Sequence, residues 1–349
     1  MVAMTTTSTF VIAEAGVNHN GSEAVALELV EVAARCGADA VKFQTFKAEK
    51  LVRRGAAKAE YQVAATGDGD QYSMLVGLEM SDAAHRRLFQ RCEQLGIEFM
   101  STPFDEEAAD FLVDLGMRRI KVPSGEITNY PFLRHLARKD LPLILSTGMS
   151  TLDEIVDATE IIREERTRAG LCAELGSVLS VLHCTSNYPA SMEDVNLRAL
   201  NTIASTLKVP VGYSDHTLGL AVSTAAVALG AVIIEKHFTL DCNFAGPDHK
   251  ASLMPDELAA LVKQIRAVER ALGSTQKGPT DAELPVRDLV RRSVTATRDL
   301  LAGRIVTVED LCLLRPGTGI PPRDLDAIYG RAPVRDIPAG TTLQWSDFT

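Results

Sequence analysis

What most constrains this chain is an alternation: short, apolar, β-rich runs are followed by text with helical periodicity, from the N-terminus to about residue 272. That order calls for parallel strands joined by helical crossovers. The eight runs are Phe10 to Ala15, Ala40 to Thr45, Glu98 to Thr102, Arg119 to Val122, Leu143 to Thr147, Val178 to Cys184, Val209 to Tyr213 and Val232 to His237. Helical stretches between and after them include Ser22 to Cys36, Leu152 to Ala169 and Pro255 to Leu272. An open doubly wound sheet more often stops at about five or six strands, whereas eight βα units are what closing a barrel requires. The expected fold is therefore α/β, a (β/α)8 TIM barrel over residues 1–272.

The stretch from Lys47 to Met80 is too long for an ordinary βα connection and is expected to cover the mouth of the barrel. Residues 273–289 turn polar and proline-containing, which reads as a linker. Residues 290–349 then hold a degenerate repeat, DLLAGRIVTVEDL from Asp299 and DIPAGTTLQWSDF from Asp336, 37 residues apart. Each copy has an Ala-Gly turn, an alternating stretch and an Asp beside an apolar residue, so a small, turn-rich β unit is expected there.

Composition narrows the partners. A formal net charge of -10 argues against a nucleic-acid or anionic-membrane partner, which would need a basic surface. No run of about 18 apolar residues occurs, and MVAMTTTSTF lacks a secretory signal's basic and apolar segments, so a cytoplasmic protein is expected. The six cysteines are scattered without a CxxC pair, which suggests neither a disulfide framework nor a thiolate zinc site. There is no GxGxxG after a strand, no GxxxxGK[ST] and no GxSxG, so dinucleotide, Walker-type and nucleophile-elbow chemistries lack support.

Barrel enzymes build their sites at the carboxyl ends of the strands. Five of the seven histidines, His19, His183, His216, His237 and His249, fall at or just after such an end. Lys42 and Lys121 lie inside apolar strand text, where an unpaired ammonium is costly to bury, so an anion should meet them. Strand alternation puts Gln44 on the face of Lys42, and Ser101, Thr102, Ser124, Ser146 and Ser214 offer short donors nearby. Together they can cradle a phosphate and a carboxylate. The blander alternative pairs each lysine with a carboxylate such as Glu14 or Glu126.

His216 and His237 end neighbouring strands and can offer two imidazoles to one cation, against the alternative of two packed histidines. Glu14, Glu126, Glu235 and Asp248 are candidates for acid/base work or for binding sugar hydroxyls, with Glu235 alternatively a buried partner of other site residues. Asn18, His19 and Asn20 serve either the site or the first helix cap.

The ordered set AEAGVNHNG, KFQTF, STPFD, KVPSGE, LSTGM, HCTSNYP, GYSDHTLG, EKHFTLD and AGPDHKAS resembles the sialic acid synthases across essentially the whole chain. The C-terminal unit, with LRPGTGIPP from Leu314 to Pro322, resembles their antifreeze-like SAF domain. The resemblance implies a divalent metal, manganese or magnesium, at His216 and His237. It places phosphoenolpyruvate against Lys42, Thr102, Lys121, Ser124, Ser146, Ser186 and Ser214. An amino-sugar aldehyde would lie among Glu14, Gln44, Phe104, Glu126, Tyr188 and Asp248. Arg315 would reach the N-acetyl group in a partner subunit's barrel, which implies a domain-swapped homodimer. Ser186 stands where some members carry Asn, and AEAGVNHN differs from the Ser-Ala-Asn version of pseudaminic acid synthases.

The reaction so implied joins phosphoenolpyruvate to N-acetylmannosamine, or to the 2,4-diacetamido-trideoxy sugar of legionaminic acid synthesis. Water then adds at C2 with help from Glu126, or alternatively Glu14, and phosphate leaves by C–O cleavage. Three competing readings remain. One is a 3-deoxy-keto-acid synthase acting on shorter sugars. Another is a Schiff-base aldolase using Lys42, Lys121 or Lys236. The third is a binding protein whose C-terminal unit recognises ice or carbohydrate.

Overall fold

The computed structural model describes residues 8–348, which divide into two compact units, the first ending at Gly273 and the second beginning at Ser274. In the first unit, strands β1 (Phe10–Gly16), β2 (Ala40–Thr45), β3 (Glu98–Pro103), β4 (Ile120–Val122), β5 (Leu143–Ser146), β6 (Leu179–Cys184), β7 (Val211–Asp215) and β8 (Ile233–His237) form one sheet. Its order is β3-β2-β1-β8-β7-β6-β5-β4, with every ladder parallel. Because β1 pairs with both β2 and β8, the sheet curls into a ring; β3 and β4 lie side by side without a ladder between them. This is the expected (β/α)8 barrel, nearly closed. Strand β7 sits two residues later than its apolar text suggests. Pro210 accounts for the shift, since it has no N–H to give to a ladder.

Helix starts follow local chemistry. Ser22, Ser81, Asp105 and Thr151 each cap a helix by accepting a backbone N–H, so Asp105 of STPFD is a cap. The outward strand faces and the helices share one large apolar core. Inside the ring, Ile12, Ala40, Met100, Ile144, Leu182 and Ile233 form an apolar floor. Gly212 belongs to this layer: a Cβ there would stand 2.5 Å from the Ile233 carbonyl and 2.6 Å from Leu182 Cδ2. We therefore expect Gly212→Ala to cost about 3 kcal/mol, the upper part of the usual overpacking range. Its urea midpoint checks this, and a wild-type midpoint would mean the floor has room to spare.

The 47–80 excursion folds into three short helices, Ala48–Leu51, Glu60–Thr66 and Gln71–Val76. Among the described residues no helix is long and apolar enough to cross a membrane. All six cysteines are unpaired.

In the second unit, β9 (Ser293–Ala296) pairs antiparallel with β10 (Leu311–Leu314) over a small core that includes Val294, Leu300, Ile320, Ile337 and Leu343. The sequence repeat is physical. Asp299 accepts from Ala339 N and Asp336 from Ala302 N, each at 2.8 Å, while Leu300 and Ile337 exchange backbone bonds. Arg298–Asp310 and Arg335–Asp347 are the same ion pair repeated, each at 2.6 Å. The stretch read as a linker ends in a helix, Glu283–Val290, that runs one residue past it and whose start is held by Glu283 accepting from Thr280 N and Oγ1.

Candidate active site

Strand alternation stacks polar layers on the apolar floor. Two residues beyond it on each strand come Glu14, Lys42, Thr102, Ser146, Cys184, Ser214 and Glu235, joined by Lys121 of β4. Above these lie Gly16, Gln44 and His237 on their strands, with Ser124, Gly148, Ser186 and His216 in the loops.

The charged layer is a buried quartet. Lys42 Nζ lies 2.6 Å from Glu14 Oε2 and 3.7 Å from Glu235 Oε1, and it donates to Thr102 Oγ1 at 3.0 Å. Lys121 Nζ lies 3.4 Å from the same Glu235 oxygen, which also accepts from Ser214 Oγ at 3.1 Å. Glu235 thus bridges both lysines, a central place that the sequence reading gave it only as an alternative. Burial would raise the Glu235 pKa, but Lys121 and Lys42 outweigh it and hold the carboxyl down at about 2. Glu14 goes the other way. Burial, with Glu235 alongside, prevails over the pull of Lys42 and pushes Glu14 up to about 7. One carboxylate is fixed as an anion and the other is poised to exchange a proton near neutrality. Burial opposes charge on Lys42, but Glu14 and Glu235 push its pKa up; burial and Lys42 pull that of Lys121 down.

His216 and His237 stand with ring centroids 5.6 Å apart. His216 donates through Nδ1 to the Thr185 carbonyl at 2.7 Å, which leaves its Nε2 as a lone-pair nitrogen. His237 Nδ1 is buried without a hydrogen-bond partner, 4.0 Å from Asp248 Oδ2. Burial lowers the His216 pKa to about 4; burial, then the neighbouring His216, holds His237 well below its usual value. Both rings are neutral at pH 7, as metal ligands must be. An orphaned imidazole nitrogen beside a second free one fits a divalent cation, with no cluster of three or more His, Cys, Asp or Glu among the described residues. Any further positions would fall to water or substrate.

Aromatic rings wall this pair. Tyr188 packs on His216 at 4.1 Å and edge-on to His237 at 5.6 Å, and Tyr61 of the excursion rests on Tyr188 at 5.3 Å. The excursion therefore does cover the mouth. Asp248 is buried beside it, and burial raises its carboxyl to about 6. A Cβ on Gly16, where φ is +52°, would meet Glu14 Oε1 at 3.2 Å, His237 Cε1 at 3.3 Å and Gln44 Nε2 at 3.5 Å. Those three side chains converge on the space that glycine leaves.

A second cradle lies across the ring. Ser124 Oγ accepts from Gly148 N at 2.9 Å and sits 3.3 Å from Cys184 Sγ. A Cβ on Gly148 would be 2.0 Å from Ser186 Oγ and 3.0 Å from Ser124 Oγ. The Ser146 hydroxyl is buried without a partner. Gly148→Ala should therefore raise the KM for an anionic substrate at least about tenfold, roughly the 1.4 kcal/mol that one charge-assisted hydrogen bond supplies. Steady-state kinetics would read it, and an unchanged KM would place the anion elsewhere.

Some expected site residues go elsewhere. Ser101 is on the outward face, hydrogen-bonded to Thr45 at 2.7 Å, because Thr102 takes the inward position. Glu126 ends a one-turn 3-10 helix and accepts from Asn129 Nδ2 at 2.6 Å, with no ion pair to either lysine. Phe104 packs edge-on to Phe46, beneath the excursion. Asn18 donates to the Phe238 carbonyl and Ser252, and His19 Nδ1 accepts from Gly21 N, so both hold loops. His183 points outward and bonds the Val195 carbonyl. Lys236, the Schiff-base alternative, is fully buried outside the ring, 3.0 Å from Asp215. Arg315 is exposed in the second unit.

Comparison with known proteins points to one family. The NeuB family matches residues 29–277, and the SAF domain matches 291–349. The chain is 54% identical over 337 residues to the N,N'-diacetyllegionaminic acid synthase of Legionella pneumophila, spanning 96% of this chain and 93% of that one. It is 44% identical over 324 residues to the enzyme of the same name from Campylobacter jejuni, spanning 93% and 95%. The crystal structure of N-acetylneuraminic acid synthetase from Leptospira borgpetersenii, in complex with citrate, superposes with a TM-score of 0.70 at 33% identity, over 80% of this chain and 90% of that one.

Proposed function

The chain belongs to the NeuB family, and from that premise we propose that it condenses phosphoenolpyruvate with 2,4-diacetamido-2,4,6-trideoxymannose to give N,N'-diacetyllegionaminate and phosphate. The acceptor rests on the two relatives named for that product; N-acetylmannosamine is the second reading, favoured by the likeness to the N-acetylneuraminic acid synthetase. The observation that carries the chemistry is the buried quartet of Glu14, Lys42, Glu235 and Lys121 in the layer below two neutral, converging imidazoles.

Lys42 and Lys121, with Thr102, Ser124, Ser146, Ser186 and Ser214, bind the carboxylate and phosphate of phosphoenolpyruvate. Glu235, ionised at neutral pH, keeps the lysines in register before the anion arrives. A divalent cation, Mn2+ or Mg2+, held by His216 and His237, supplies Lewis acidity toward the sugar aldehyde when bound. Gln44, Tyr188 and Asp248 orient the acceptor so that C3 of phosphoenolpyruvate faces the aldehyde carbon. After the carbon–carbon bond forms, Glu14 takes one proton of the water that adds at C2, and the former aldehyde oxygen takes up that proton; the C2 hydroxyl then passes its proton to the departing phosphate, which leaves with the bridging oxygen as the ketone forms. The contact of Glu14 with Lys42 and its raised pKa favour it over Glu126 for that role. The reaction belongs in the cytoplasm, where phosphoenolpyruvate is made and spent.

Phosphate release from phosphoenolpyruvate, assayed against a panel of acylated mannose derivatives, tests this. Release should require an acceptor and be fastest with the diacetamido sugar; release without sugar, or a preference for a phosphorylated aldose, would overturn it. We also assign Arg315 to the acceptor in a partner's barrel within a homodimer. Arg315→Ala should raise the sugar KM about tenfold and leave that for phosphoenolpyruvate unchanged, the 1–3 kcal/mol of one hydrogen bond to a charged donor. The reverse pattern would remove it.

A further inference from the structure

The two imidazoles end adjacent strands, and each is preceded by a residue that points out of the barrel. Asp215 precedes His216, Lys236 precedes His237, and the β7–β8 ladder sets Asp215 against Lys236. The pair is 3.0 Å apart with both side chains at 0% exposure. Nothing in the proposed chemistry uses it. Taking two charges out of water costs several kcal/mol per ion, and an apolar pair of similar volume would serve a core as well or better.

What the pair does locally is specific. Asp215 Oδ1 accepts from Thr217 N at 2.9 Å and from Thr217 Oγ1 at 2.7 Å, and Oδ2 accepts from Ser223 Oγ at 2.6 Å. Lys236 Nζ donates to the Thr217 carbonyl. The turn that carries His216 is thus gripped at the residue before it and at both backbone groups of the residue after it. The cation that closes the grip comes from the residue next to His237. A single buried ion pair therefore ties the two ring-bearing backbones together from behind, while the rings face the mouth.

We infer that Asp215 and Lys236 are positioning residues, fixing the separation and aim of His216 and His237 so that both nitrogens meet one cation. This inference rests on the metal reading of those histidines. Thr217 and Ser223 belong to the same device, as the hydroxyls that satisfy the remaining Asp215 lone pairs.

The test is Mn2+ binding to the full chain by electron paramagnetic resonance, with phosphoenolpyruvate affinity measured in parallel. Single removals would leave a buried charge, so the main variant is the apolar double replacement, Asp215→Leu with Lys236→Met. It should fold, less stably than the wild type because Thr217 N, Thr217 Oγ1 and Ser223 Oγ lose their acceptor, bind Mn2+ at least about tenfold more weakly and keep its phosphoenolpyruvate affinity, the usual size of loss when a group that orients a metal ligand is removed. Thr217→Val, which removes one Asp215 bond and threatens the fold little, should weaken Mn2+ binding about threefold by the same logic. Wild-type Mn2+ affinity in either folded variant would overturn the inference. His237→Ala is the control: if it binds Mn2+ as well as the wild type, the metal reading itself has failed, and the positioning role falls with it.

Discussion

Replacing His237 with alanine should abolish stoichiometric Mn2+ binding and lower kcat/KM by at least about a thousandfold, which is the roughly 4 kcal/mol that a Lewis acid contributes at a polarised carbonyl. The magnitude follows from the ligand set. His216 keeps a lone-pair nitrogen and His237 has a buried nitrogen without a hydrogen-bond partner, so losing His237 leaves a single imidazole of the pair. The fold should survive, because His237 Nδ1 makes no protein hydrogen bond and the ring lies at the end of β8. Metal titration, activity and far-UV dichroism on the same preparation separate the outcomes. Full activity in the variant would remove the metal assignment; loss of fold would mean that the ring's packing against Tyr188 and His216 is a structural need.

Glu235→Gln should destabilise the barrel by about 3 kcal/mol, within the range for breaking a buried pair from one side. Its carboxylate is the shared counter-ion of Lys42 and Lys121, and with an amide there Lys121 has no anion within ion-pair distance. The pH dependence carries the same sign. A folded pKa of about 2, against an ordinary 4.5, means that Glu235 contributes stability in full above about pH 4.5 and loses it as pH falls toward 2. The variant should lack that part of the acid limb. Phosphoenolpyruvate should then stabilise the variant more than the wild type, because its carboxylate or phosphate restores an anion to the lysines; at a hundred times Kd, binding contributes about 2.7 kcal/mol. Chemical denaturation with and without the ligand reads both effects. An unchanged midpoint would mean that the lysines do not depend on Glu235.

Much of this was legible before any coordinates. The period of eight βα units is a long-range signal that few folds satisfy, and the strand ends named by apolar runs are where His216, His237, Lys42 and Lys121 gather. Parity carried Gln44 to the face of Lys42, and it also explains the misses. Ser101 and Thr102 are adjacent, so only one can face inward, and Met100 in the floor decides for Thr102. Glu235 shares parity with Ile233 and His237, which pointed inward but could not reveal that one of its oxygens lies between two lysines from distant strands. Glu126 looked equivalent to Glu14 as a carboxylate near a strand end. The 3-10 turn after β4 aims it at Asn129, and such turns leave no period to read. Gly148 and Gly16 were invisible as site residues because their contribution is the volume they leave to Ser186, Glu14 and His237. The helix Glu283–Val290 was missed because Pro285 masks an eight-residue pattern whose start is set by Thr280 and Glu283.

Anomalous diffraction from crystals soaked with Mn2+ and phosphoenolpyruvate tests the account most directly. It predicts one manganese peak in contact with both the His216 and His237 rings, and phosphoenolpyruvate with its anionic groups on Lys42 and Lys121. A peak touching neither ring, or the ligand bound away from both lysines, would contradict it.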